Sequence, residues 1–117
     1  MAKADYNSER PTFCLRFVDP NHCITCCSHD DKAAFADKIR RMSFLTWNEL
    51  IQAPRHGMGL ETIDRRAIKG TIPAHITEDV TFIAFRFSGK KAMVGYRTEG
   101  MFHIVWFDRD YDLYDHS

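Results

Sequence analysis

Three runs of β-forming residues near the C-terminal end of the sequence constrain the fold more than any other feature. Residues 80–87, 92–97 and 101–107 are rich in β-branched and aromatic side chains, and turns around Gly89 and Gly100 separate them. Short turns of this kind join neighbouring antiparallel strands, so the sequence predicts a three-stranded meander. Residues 101–107 are largely apolar at both alternating sets of positions, which indicates a strand that is central or covered on both faces.

The segment before the meander contains an apolar stripe with the period of an α-helix. Phe35 begins a set of apolar residues at positions i, i+4 and i+7, and charged residues occupy the other faces. Ser28 or Asp30 has the side chain of an N-cap, so we predict a helix from this region to about Ser43.

A second, shorter helix follows at once. Thr46 and Glu49 have the spacing of a capping box. Pro54 ends this helix, because proline cannot continue the backbone hydrogen bonds. Two short amphipathic helices joined by a tight link are typical of an antiparallel pair.

The remaining segments complete the predicted fold. Residues 12–18 form a β-rich run that a turn signal follows, so we expect a first strand there. Residues 55–79 contain three glycines and predict a long excursion with at most short elements. The sequence therefore predicts a single α+β domain over residues 1–117, in which two helices cover a four-stranded, mainly antiparallel sheet in the order β-α-α-β-β-β. Residues 1–11 are polar and are predicted to be flexible.

The composition is that of an ordinary globular protein, with 27% charged and 44% hydrophobic residues. The formal net charge is zero, but residues 32–91 hold eleven lysines and arginines against six acidic residues. No segment approaches the roughly 20 apolar residues of a membrane-spanning helix, and no signal peptide is evident. We therefore expect a cytoplasmic protein that does not contact a membrane.

Three of the four cysteines lie in one cluster. Cys23, Cys26 and Cys27 are flanked by His22 and His29, and a CxxC pair with two histidines could supply four zinc ligands. Structural zinc sites usually draw ligand pairs from two separated segments, and no second cysteine pair follows here. A metal site, a redox-active pair and ordinary reduced cysteines all stay open, and the last is favoured. We predict no metal and no cofactor.

The sequence contains neither a P-loop nor a GxGxxG nor a nucleophile elbow. What remains is a set of cationic and titratable side chains on or beside the predicted sheet. They are Arg86, Lys90, Lys91, Arg97, His103, Arg109, Tyr114 and His116. RNA cleavage by 2′-hydroxyl attack needs a base, an acid and cations that stabilise the phosphorane, and these residue types supply all three without a metal. An arginine on a strand is, however, more often an edge residue or one half of an ion pair.

The order of the predicted elements and two short motifs resemble the RelE/ParE toxin superfamily of bacterial toxin–antitoxin systems. Residues 75–79 read His-Ile-Thr-Glu-Asp and are similar to the family's Arg-Ile-Thr-Glu-Glu stretch, which leads into a long central strand. Residues 107–114 resemble the family's terminal strand, turn and Val-Tyr pair. Residues 54–57 lie where the family often has a loop with proline and glycine.

The resemblance implies a toxin that enters the ribosomal A site, cleaves mRNA as a metal-independent endoribonuclease and is neutralised by a cognate antitoxin. Arg109 matches the family's late arginine, which stabilises phosphate charge, and Tyr114 matches its C-terminal tyrosine, which transfers a proton or stacks on a base. His116 resembles the terminal histidine of some members, and Arg86 is the candidate for the family's arginine on the central strand. The residues expected to contact RNA are Arg55, Arg65, Arg66, Lys90, Lys91 and Arg97.

Two departures from the family pattern keep a second interpretation open. Thr81 stands where the family often has an arginine, and Arg86 lies five residues further along, on the opposite face of the strand. The chain is also neutral, whereas the family's toxins are markedly basic. The alternative is a non-catalytic protein-binding module, such as a ParE-like gyrase inhibitor or a repurposed toxin-fold regulator.

Overall fold

The computed structural model of the protein describes residues 6–55 and 57–115. Within these residues the chain forms two α-helices and five strands, which confirms the predicted α+β class. The elements are β1 (Thr12–Cys14), α1 (His29–Met42), α2 (Trp47–Gln52), β2 (Leu60–Ile63), β3 (Phe82–Ser88), β4 (Lys91–Thr98) and β5 (Met101–Asp108). Neither helix has the length and apolar character that crossing a membrane requires.

The strands form one sheet in the order β1-β5-β4-β3-β2. Its centre is the predicted meander, in which β3 pairs with β4 and β4 pairs with β5, both antiparallel. At one edge β1 runs parallel to β5, so that Thr12 lies opposite Met101. At the other edge β2 runs antiparallel to β3, with Ile63 opposite Phe82.

The prediction of four strands was wrong, because β2 lies inside the segment interpreted as a long excursion. Its four residues read Leu-Glu-Thr-Ile, a run too short to show the alternation of a strand. Pairing with β3 creates this strand, and local sequence preference does not. The first strand is shorter than predicted, since residues after Cys14 turn and Val18 donates its amide hydrogen to the carbonyl of Leu15.

Both helices begin where the sequence places their caps. Ser28 caps α1, because its hydroxyl accepts a hydrogen bond from the amide of Asp31 at 3.1 Å. Thr46 and Glu49 form the predicted capping box at the start of α2. The amide of Glu49 donates to the Thr46 hydroxyl at 3.2 Å, and the amide of Thr46 donates to the Glu49 carboxylate at 3.0 Å.

The helices cover one face of the sheet, and this face forms the first apolar core. Phe35 and Met42 of α1 and Trp47 of α2 are buried against side chains of β3, β4 and β5. The strand residues in this core are Ile83, Phe85, Phe87, Met93, Phe102, Ile104 and Phe107. Trp47 also donates its indole N–H to the carbonyl of Gly100 at 3.0 Å.

The opposite face of the sheet is covered as well, by the connection before β3 and by the C-terminal turn. Ile68 and Ile76 from the connection before β3, and Leu113 from the C-terminal turn, are buried there. β5 therefore has apolar neighbours on both faces, as predicted. A bulge beside Val94 changes the expected alternation, so that the side chains of both Val105 and Trp106 join this second core.

The residues just before β1 contact α2. The amide of Trp47 donates to the carbonyl of Glu9 at 2.9 Å, and the amide of Asn48 donates to the carbonyl of Asn7 at 2.9 Å. Pro11 is buried. The segment after residue 5 is thus attached to the start of the second helix.

A buried carboxylate ties α1 to the turn between β3 and β4. Asp31 is only 4% exposed, and it accepts hydrogen bonds at 2.8 Å from both the Ser88 hydroxyl and the Lys91 ammonium group. These bonds, above all the one from Lys91, hold the pKa of the Asp31 carboxyl below its usual range.

We expect Asp31→Asn to lower the free energy of unfolding by about 1–3 kcal/mol at neutral pH, since it removes charge-assisted hydrogen bonds. A carboxyl whose pKa is lower in the folded state stabilises the fold above its unfolded pKa, and that contribution is lost as the pH falls through the folded pKa. The difference between the two proteins, measured by urea unfolding, should therefore shrink below about pH 4. A difference that stays constant from pH 7 to pH 3 would contradict this assignment.

Candidate functional site

Tyr114, the predicted catalytic tyrosine, is buried in the second core. Its side chain is 5% exposed, and burial raises its pKa to about 12. The nearby carboxylates of Glu61 and Asp108 raise this pKa further. Asp108 also fixes the turn that leads to the tyrosine, since its Oδ1 accepts the amide hydrogens of Asp112 and Leu113 at 3.0 and 3.1 Å.

Arg86 and Arg55 lie at the same end of the sheet as Tyr114. Their positive charges favour the ionised phenol and partly offset the effect of burial on its pKa. Arg55 also pairs with Glu61 at 3.2 Å. The structure thus brings Arg86, Arg55 and Tyr114 together, but Tyr114 is buried in the second core.

Arg109 is directed toward the loop that follows β1. Its guanidinium donates to the carbonyl of Asn21 at 2.9 Å, and its Nε lies 3.7 Å from the carboxylate of Asp110. His22 attaches the same loop to the C-terminal turn, with its ring nitrogens 2.9 Å from Asp19 and 3.4 Å from Asp112. His116, the other predicted catalytic residue, lies outside the described residues.

Most of the residues predicted to contact RNA make contacts within the protein. Lys91 pairs with Asp31 as described, and Arg66 pairs with Asp64 at 3.1 Å. The guanidinium of Arg97 lies 4.2 Å from the ring centroid of Trp47. Lys90 is exposed at the turn between β3 and β4.

Arg65 has a positioning role within the connection before β3. Its guanidinium donates to the carbonyls of Thr77 and Ile76 at 2.6 and 2.8 Å. Ile76 is itself 2% exposed. These contacts hold the turn at residues 73–77, and they place His75 over the face of the sheet opposite the helices.

The three cysteines of the cluster differ in how far they are exposed to solvent. Cys27 is buried, and burial raises its pKa, whereas hydrogen bonds from Thr25 lower the pKa of Cys23. Cys26 is exposed and lies 3.6 Å from the carbonyl of Pro20. Across the part of the chain that the structure describes, no three His, Cys, Asp or Glu side chains are grouped so that they could hold a metal ion.

The second face of the sheet brings two histidines and a tyrosine around one phenylalanine ring. The ring of Phe17 lies 4.3 Å from that of His75 and 6.0 Å from that of His103, measured between centroids. Tyr96 stacks on His103 at 4.8 Å, and its hydroxyl lies 3.1 Å from Nε2 of His75. We call these four residues the histidine cluster.

The electrostatics of the histidine cluster favour a neutral imidazole at His103. Burial lowers the pKa of this histidine, and the nearby His75 lowers it further. Its Nδ1 atom is buried without a hydrogen-bond partner among the described residues. Burial also raises the pKa of Tyr96, so its hydroxyl keeps its proton. The cluster therefore joins a proton acceptor, an exposed imidazole and a hydroxyl.

An open cavity of about 450 Å³ adjoins the histidine cluster, with His103 on its wall. Arg10, Thr12 and Glu9 also line it, and they come from the segment at the start of β1. Arg16 lies close to the cluster, with its guanidinium carbon 5.4 Å from the centroid of Phe17. The charged residues on the cavity wall are Arg10, Glu9 and Glu99, and Arg16 adds a second arginine beside Phe17.

Sequence reasoning identified His103 as a polar residue on a strand but did not select it. His75 drew attention only as part of the family-like motif, and Phe17 and Tyr96 carried no signal. The one sequence clue is that a histidine stands among the apolar residues Phe102, Ile104 and Val105, in a strand predicted to be central or covered on both faces.

Comparisons with protein-family models, with curated proteins and with solved structures give no match to this chain. The histidine cluster is therefore interpreted from its own geometry.

Proposed function

We propose that the protein is a metal-independent endoribonuclease whose acid–base pair is His103 and His75. The observation that carries the proposal is the meeting of two imidazoles at one aromatic ring beside an open cavity. RNA contains its own nucleophile, the 2′-hydroxyl, so cleavage needs only correctly placed proton transfer and charge stabilisation.

Each residue of the cluster has a role in this reaction. His103, held neutral, accepts the proton of the 2′-hydroxyl as its oxygen attacks phosphorus. His75 donates a proton to the 5′-oxygen as the bond from phosphorus to that oxygen breaks. The hydroxyl of Tyr96 orients His75, and Arg10 and Arg16 offset the negative charge of the phosphorane. The products are a 2′,3′-cyclic phosphate and a 5′-hydroxyl end.

The biological setting we propose is that of the sequence resemblance, a RelE/ParE-like toxin of the bacterial cytoplasm that acts on mRNA at the ribosome. A cognate antitoxin would be its partner, through a strand or an amphipathic helix that covers exposed apolar side chains. Leu15, Phe44 and Ile51 are each about half exposed and are candidates for this contact.

A non-catalytic protein-binding module is the second candidate. The observation that favours it is the burial of Tyr114, because the phenol that the resemblance would use for chemistry is enclosed in the core. In this case the chain would bind a protein such as DNA gyrase and leave RNA intact.

The test is cleavage of an end-labelled single-stranded RNA by the full chain in the presence of EDTA, with a parallel reaction that contains translating ribosomes. We expect cleaved ends that carry a 2′,3′-cyclic phosphate and no cleavage of the matched 2′-O-methyl RNA. Intact transcripts in both reactions, together with inhibition of gyrase supercoiling, would establish the second candidate instead. Cleavage that depends on added Mg²⁺ would contradict the histidine mechanism.

A further inference from the structure

A lysine of α1 is buried beside the turn that precedes β2. Lys38 is 4% exposed, and its ammonium group donates to the carbonyl of Gly57 at 3.0 Å and lies 3.6 Å from the sulfur of Met58. No carboxylate among residues 6–55 and 57–115 lies within ion-pair distance of it. A buried ammonium group is stabilised when an opposite charge lies beside it, and here none is present.

Lys38 lies on the wall of a cavity of about 310 Å³ that is separate from the histidine cluster. Arg41, one turn further along α1, and Arg86 of β3 also line it. The other lining residues are two glycines, a methionine and a phenylalanine, and none of them is acidic. The cavity therefore has three basic residues on its wall, two of them from neighbouring turns of one helix.

We propose that this cavity binds a phosphate-type oxyanion, either free or as the phosphoryl group of a nucleotide, through Lys38 and Arg41. An ammonium group presents a compact charge, and a guanidinium binds two oxygens of one phosphate at once. The bound anion supplies the counter-charge that Lys38 lacks among the residues that the structure describes. Glycines on the wall leave room for a ligand close to the backbone.

Anion binding should be linked to protonation of Lys38. Burial and the positive charge of Arg41 lower the pKa of Lys38 to about 8. The charged groups that line the cavity are Arg41 from α1, whose positive charge favours the neutral amine, and Arg86 from β3. A bound anion favours the ammonium form, so affinity should fall as the pH rises from 7 to 9.

The proposal is tested by calorimetric titration of the full chain with inorganic phosphate and, separately, with ADP at the same ionic strength. We expect saturable binding of one anion per chain. Lys38→Met should weaken binding by roughly tenfold to a hundredfold, the loss expected for one charge-assisted hydrogen bond. Lys32→Met is the matched control, because Lys32 is exposed on the same helix, and it should leave the affinity unchanged.

Arg41→Ala tests the site independently if Lys38→Met does not fold. Arg41 is exposed on the surface of α1, so its replacement should not disturb the core. It should also weaken binding. ADP that binds at least about tenfold more tightly than phosphate identifies the phosphoryl group of a nucleotide as the ligand, and equal affinities identify the free anion. A non-saturable response to both probes, or affinities that neither variant changes, overturns the proposal. His103→Ala should not alter the titration, so this site and the proposed nuclease can fail independently.

Discussion

Replacing His103 by alanine is expected to lower the rate of RNA cleavage by about a hundredfold or more, the contribution of a positioned general base. The imidazole is held neutral by burial and by the neighbouring His75, so it accepts a proton at neutral pH. Activity should rise with pH through the depressed pKa of His103. The acidic limb of the pH profile of kcat/KM should therefore have its midpoint below 6.5.

Two further variants separate chemistry from folding in this experiment. His29→Ala is the matched control, because His29 is exposed at the start of α1, and it should cleave RNA at the normal rate. Tyr96→Phe keeps the ring stacked on His103 but removes the hydroxyl next to His75, so we expect a smaller loss. A His103→Ala protein that circular dichroism shows to be folded and that is still fully active would contradict the mechanism.

Gly95→Ala should destabilise the protein by more than about 3 kcal/mol, the largest effect on folding that we expect from one added methyl group. Gly95 lies at the bulge between β4 and β5, and a Cβ atom there would lie 1.8 Å from the carbonyl oxygen of His103. The carbonyl oxygen belongs to the backbone and the added Cβ is fixed to its own backbone, so neither can turn aside, and the two strands must separate and lose hydrogen bonds. The same movement displaces His103, and cleavage should fall together with stability.

Gly57→Ala is the control for this prediction, and thermal unfolding measures both variants. The nearest atom to its added Cβ would be the carbonyl oxygen of Pro54 at 3.7 Å, an ordinary contact, and the residue is exposed. We expect its melting temperature to stay within a few degrees of the parent. Equal melting temperatures for Gly95→Ala and Gly57→Ala would show that β4 and β5 adjust without loss.

The parts of the fold that could be predicted are those in which neighbouring residues determine the structure. The meander follows from β-forming runs with short turns, and the start of α2 follows from the Thr46–Glu49 capping box. β2 could not be predicted in this way, because Leu60–Ile63 is a strand only through its pairing with β3. The parallel position of β1 depends on pairing with residues almost 90 positions away, so the local sequence does not predict it either.

The candidate site was harder to predict, because residue type does not reveal burial or partners. Arg65 was selected for its charge, yet it binds two carbonyl groups and positions the turn that carries His75. Tyr114 was selected by its place in a family-like motif, yet it lies in the core. His75 and His103 are separated by the whole of β3 and β4, and only the tertiary fold brings them together.

The parallel pairing of β1 with β5 has a consequence for how the chain is made. Thr12 is synthesised 89 residues before its partner Met101. β1 therefore cannot join the sheet until β5 has left the ribosome, and closing so long a loop slows this step of folding. Phe17 lies three residues after β1, so the pairing of β1 with β5 also brings Phe17 to His103 and completes the histidine cluster.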